Sequence, residues 1–200
     1  MKFRTNVRDT VLLLVLGYYL PVILIWLDIL TFRPRYVILE FMTVVFILYA
    51  WRKKKSLKDL GIRTDTLKSS LLWNGIISIV ITIIILFFYF SGKIRPQTEK
   101  IVIGFYIFYV LLSSPSQEFI YRGLLFNELN NLSSKTFFQI IFSAFTYSFL
   151  HIIFNDLITI FVTLFMGIVW GIIYYFRPNL IGVSMSHAIL GLVSLIVGLV

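Results

Sequence analysis

The only two histidines of this chain, His151 and His187, both fall inside long apolar runs, and so do Glu118 and Arg122. A titratable group inside a membrane-spanning segment costs roughly 2.5–3.5 kcal/mol on insertion scales, so such residues are functional candidates by default. Glu118 and Arg122 are four apart, share a helix face and can pair. Pro115, just upstream, loosens that helix and frees backbone carbonyls near the pair. Tyr147, His151 and Asn155 are spaced i, i+4, i+8 and are expected on one face of a later helix. Ser184, Ser186 and His187 form a third polar group near the end of the chain. One Glu, one Arg and two His from three helices are the ingredients for activating water. A carboxylate or imidazole can act as general base, and the remaining polar donors can stabilise an oxyanion. Read as ligands, Glu118, His151 and His187 would instead make a zinc set with an open fourth position. The bland alternatives are an intrahelical salt bridge that tolerates burial and histidines that merely pack. No H-E-x-x-H and no serine elbow occur. Zero cysteines exclude a thiol nucleophile, thiolate metal sites and disulfides.

These residues must be positioned by membrane helices. Of the 200 residues, 59% are hydrophobic and 14% charged, with mean hydropathy +0.93, against about 25% charged in an ordinary soluble domain. The fold class is therefore all-α, a polytopic helical bundle, and the net charge of +9 is not read as nucleic-acid binding. A hydrocarbon core about 30 Å thick needs about 20 apolar residues as helix. Seven spans are expected, over 11–30 with a kink at Pro21, 36–51 carrying Glu40, 71–90, 101–129 as one long helix kinked at Pro115, 137–154, 157–176 and 180–200. The run 11–30 is too long for a cleavable signal and reads as the first span. Residues 1–200 form a single integral domain, and 56–70 reads as a short interfacial helix. Gly167, Gly171 and Gly182 would let helices approach closely.

Orientation follows from the basic residues. The loop 52–70 holds Arg52, Lys53, Lys54, Lys55, Lys58, Arg63 and Lys68. Placing it in the cytoplasm puts Lys2, Arg4, Arg8, Lys135 and Arg177 on the same side. Arg33, Arg35, Lys93, Arg95 and Lys100 then lie outside. Twelve against five sets the N-terminus in the cytoplasm, with the loop a topology determinant that touches lipid headgroups.

Gln117–Gly123 (Q-E-F-I-Y-R-G), Tyr147-x-x-x-His151, a glycine-bearing span and Ser186-His187-Ala188 resemble the CPBP intramembrane proteases. These are the type II CAAX prenyl endopeptidases and the bacterial Abi-type, bacteriocin-processing-associated proteins. Their pattern is E-E-x-x-x-R, then F-x-x-x-H, then H-x-x-x-N, and the resemblance covers 101–192. It implies an intramembrane endopeptidase, a multi-pass protein of a bacterial plasma membrane, that hydrolyses a peptide bond in a small peptide, leader or membrane-protein substrate. Bacteriocin maturation or self-immunity is the implied setting. Carried over, the catalytic roles fall on Glu118, His151 and His187, with Gln117, Arg122, Tyr147 and Asn155 in support. No cofactor is required on that reading, with zinc the alternative. The sequence departs from the pattern at Gln117, which cannot serve as a base, at Tyr147 in place of Phe, and at Gly191, which lacks the amide donor. Glu118 is then the base with Gln117 orienting the water and Asn155 standing in as donor, or the protein is a non-proteolytic, peptide-binding partner in the membrane.

Overall fold

A computed structural model describes residues 7–31, 35–94, 102–133 and 135–199. Lys2, Arg4, Arg33, Arg95 and Lys100 of the charge count lie outside them. The described residues contain helices and no strand. We number the helical rods in chain order: α1 over Val7–Trp26, α2 over Arg35–Arg52, α3 over Leu67–Phe90, α4 over 103–129, α5 over Thr136–Leu150 with a 3₁₀ turn His151–Phe154, α6 over Leu157–Phe176 and α7 over Leu180–Val197. Five of them, α1, α3, α5 with its 3₁₀ turn, α6 and α7, are long and apolar enough to cross a membrane. The other two expected spans miss that measure for reasons visible in their residues. α2 carries Arg35, Glu40 and Arg52, and the middle of α4 is the polar run Ser113–Glu118.

The two kinks have one cause. Pro21 and Pro115 each lack the N–H that would bond the carbonyl four residues back, and the ring crowds that carbonyl. Each follows a π-helical turn, Leu14–Tyr19 and Tyr109–Ser113, that absorbs the extra residue. A second π turn in α4, Phe119–Leu124, leaves carbonyls that neighbouring helices fill. Tyr18 of α1 donates its hydroxyl to the Ile120 carbonyl at 2.8 Å, and Ser143 of α5 donates to that of Tyr121 at 3.0 Å. α4 is thereby fixed in rotation at the centre of the bundle, where Leu124, Leu125 and Leu129 are wholly buried.

α5 and α6 pack as an antiparallel hairpin, and Gly167 sets their distance. A Cβ there would lie 3.0 Å from the Ala144 Cα. Where α1 begins and α2 and α4 end, a buried carboxylate, Glu128, takes Lys55 Nζ at 2.8 Å, Thr10 Oγ1 at 2.9 Å and Asn131 Nδ2 at 3.1 Å. Part of the basic loop is thus spent internally. The rest of it differs from the expected interfacial helix. Residues 56–66 form turns, because backbone groups there serve α7. Leu180 N–H donates to the Gly61 carbonyl at 2.9 Å, Asn179 Nδ2 to that of Arg63 at 2.6 Å, and Leu60 is buried.

Asp156 caps α6. Its carboxylate accepts the Thr159 hydroxyl at 2.6 Å and N–H at 2.9 Å, with the Ile158 N–H at 3.3 Å. The Thr159 hydroxyl bond, ahead of the backbone N–H bonds, holds its pKa below the ordinary 3.8. A depressed carboxylate contributes stability above its unfolded pKa and loses it as pH falls through the folded value. Asp156→Ala should cost about 1 kcal/mol at neutral pH. In pH-dependent unfolding in detergent, the gap to wild type should close as pH drops below 3.8, and a gap that persists there would refute the cap's charge.

Candidate active site

α4, α5, α6 and α7 bring the expected residues to one place. Glu118 is wholly buried, and a single oxygen does most of its work. Oε1 accepts Arg122 Nη1 at 3.2 Å and His187 Nδ1 at 2.7 Å. Arg122, equally buried, lies over the Tyr147 ring at 4.4 Å and sends Nη2 to the Gly167 carbonyl at 3.4 Å. His187 stacks on Trp170 with centroids 4.7 Å apart. Trp170 is fixed in turn by Nε1–H donation to Ser186 Oγ at 3.0 Å, and Ser186 meets Ser78 of α3 at 2.9 Å.

The Glu118 carboxylate accepts from His187 Nδ1, which directs the other ring nitrogen, Nε2, to 3.3 Å from the Tyr147 hydroxyl. His151 is oriented the same way by a different partner. Its Nδ1 donates to the Tyr147 carbonyl at 3.1 Å, which turns Nε2 away from that carbonyl. A cavity of about 180 Å³ lies between them, lined by Gln117, His151 and His187 together with Tyr109, Ser113 and Trp170, and it reaches Arg35, Tyr36 and Phe154 where α2 begins and α5 ends. About 10–15 Å³ is enough for one water, so the space admits water beside a peptide unit.

Gln117 faces this cavity, and Glu118 is not among its lining residues. Gln117 donates Nε2–H to Ser113 Oγ at 3.2 Å. Gln117 Oε1 and Glu118 Oε2 are both buried without a protein hydrogen-bond partner, and a buried polar atom left this way asks for water or substrate. Asn155 departs from the expected stripe. The helix tightens to 3₁₀ at His151, and Asn155 ends it in the left-handed conformation at φ 52°. Its Oδ1 takes Trp26 Nε1–H at 3.1 Å instead. Asn155 does not line the cavity.

A different residue occupies the space that Gly191 leaves. A Cβ at position 191 would overlap the Tyr109 hydroxyl, and the Tyr109 ring stands edge-on to His187 at 6.2 Å. Tyr109, Ser113 and Gln117 follow at i, i+4, i+8 on the cavity side of α4. That spacing could have exposed Tyr109 as a site residue, but an aromatic in an apolar helix passes for packing. Trp170 was hidden for the same reason.

The donor set does not converge on a metal. Glu118 and His187 spend their facing atoms on each other, and no three of His, Cys, Asp and Glu are grouped to hold one ion among the described residues.

Residues 99–193 match the family model described as type II CAAX prenyl endopeptidase Rce1-like. No curated protein and no solved structure gives a match. The matched stretch is similar to a protease family and contains Gln117, Glu118, Arg122, Tyr147, His151, Trp170 and His187, while Arg35, Tyr36 and Ser78 lie outside it.

Removing one partner of a buried ion pair strands the other charge, at a cost of about 3–5 kcal/mol. Glu118→Ala should therefore destabilise the protein by about that much. Glu118→Gln keeps an acceptor for His187 and should cost about half as much. Unfolding of both variants in mixed micelles tests this, and equal, small losses would show that Glu118 does not hold the site together.

Proposed function

We propose that this chain is an intramembrane endopeptidase that hydrolyses a peptide bond in an apolar peptide, leader or membrane-protein segment. The observation that supports it most is the pair of imidazoles, each with Nδ1 committed to a fixed acceptor, lining one cavity. On this reading His151 Nε2 takes a proton from water as the water oxygen bonds the substrate carbonyl carbon. The carbonyl electron pair moves to oxygen, where the Gln117 amide and the Tyr109 hydroxyl donate. Collapse breaks the C–N bond, and the leaving amine receives the proton from His151. Glu118 acts through His187 as a positioning residue, and no metal carries a step. α2 and α4 complete a seven-span bundle with its N-terminus in the cytoplasm of a bacterial cell.

A second reading has its own observation. The residue that faces the cavity is Gln117, which cannot accept a proton, and the carboxylate stands behind it. A protein that binds peptide segments without cutting them would look the same.

Quenched-fluorescent apolar peptides, added to the full chain in proteoliposomes, separate the two. The endopeptidase reading expects cleavage that falls about 100- to 10,000-fold in His151→Ala, with Gln117→Glu equal to or faster than wild type. Peptides that bind saturably, yet stay intact with both wild type and Gln117→Glu, would establish the second reading.

A further inference from the structure

Where α1 begins and α2 ends, a groove of about 600 Å³ runs between the two helices. Its walls are apolar, formed by Leu12, Leu16, Met42 and Val45, and it ends at Arg52, Lys53 and Lys54. Leu12, Leu16 and Val45 are 45%, 55% and 37% exposed, so protein leaves these walls bare. Asp9 also reaches the charged end and holds Lys53 at 2.6 Å. Three cations therefore face one carboxylate, and Arg52 and Lys54 are on the outer surface.

We propose that this groove binds one anionic phospholipid, with an acyl chain between α1 and α2 and the phosphate against Arg52 and Lys54. The placement supplies the argument. α1 is long and apolar enough to span a membrane, and the exposed apolar walls of the groove then face lipid chains. The cations sit where α2 ends, at the level of the headgroups. Basic pockets between membrane helices take anionic headgroups, and each nearby Lys or Arg is worth about a fivefold gain in affinity. A zwitterionic lipid would fill the same walls but gain nothing from the excess positive charge. A free phosphate would meet the charges but leave the walls bare. The lipid would also add to the contacts that join α1 to α2, the Lys53–Asp9 pair and the stacking of Tyr18 on Phe46 at 4.8 Å.

Titrating palmitoyl-oleoyl phosphatidylglycerol into the full chain in neutral detergent, followed by native mass spectrometry, reads the site directly. One lipid should be retained, in preference to the phosphatidylcholine of the same chains. Arg52→Ala with Lys54→Ala should weaken retention roughly 25-fold, while Lys58→Ala with Lys68→Ala, the same charge removed elsewhere, should change it less than about twofold. Leu16→Trp, which fills the groove and keeps every charge, should lower retention as well. Equal retention of the two lipids would overturn the proposal. So would equal weakening by both charge pairs, no effect of Leu16→Trp, or full competition by sn-glycerol 3-phosphate.

Discussion

One carboxylate oxygen, Glu118 Oε1, is shared by a guanidinium and an imidazole inside the bundle. Each of these groups would be expensive to bury alone, because a charge taken out of water must be repaid by close partners. Together they offset one another, and the geometry that lets them do so fixes three helices. α4 supplies Glu118 and Arg122, α7 must approach closely enough for His187 to reach 2.7 Å, and α6 must offer the Gly167 carbonyl to Arg122. The aromatic faces of Tyr147 and Trp170 close over the guanidinium. The polar centre is thus a structural joint, and the orientation of His187 in the cavity is one of its by-products.

The joint depends on irregular helix geometry. A straight α-helix through Pro115 would lose a backbone bond at Leu111 and turn the polar residues of α4 to a different azimuth. The π turns on both sides of Ser114–Glu118 accommodate the proline, and the second exposes carbonyls that Tyr18 and Ser143 tie to α1 and α5. The same irregularity leaves Tyr109, Ser113 and Gln117 on the cavity side, with the Tyr109 hydroxyl in the space above Gly191.

Much of this was legible in the residues. Helix positions followed from apolar runs, and α6 begins and ends at the expected residues. The cost of burying charge singled out Glu118, Arg122, His151 and His187; Glu118, Arg122 and His187 are in contact, and His151 shares the cavity with His187. What failed were local patterns that a tertiary contact overrides. Asn155 shares a helical spacing with His151, but the chain leaves the helix there and Trp26 takes its amide. The stretch 56–66 has the composition of an interfacial helix, yet its carbonyls are used by Asn179 and Leu180. The division of labour between Gln117 and Glu118 was also beyond the motif. Adjacent residues on a helix point about 100° apart, and only the packing decides which of the two looks into the cavity.

The proposed chemistry requires that His151 and His187 carry a proton on Nδ1 and leave Nε2 free to accept one in the cavity. Solid-state ¹⁵N NMR of histidine-labelled protein in bilayers measures this without a substrate. Both His151 and His187 should show a protonated Nδ1 and an unprotonated Nε2, and Glu118→Ala should disturb the His187 signals while leaving those of His151 in place. A proton on Nε2 of either ring in the wild-type protein would contradict the arrangement from which the chemistry is drawn.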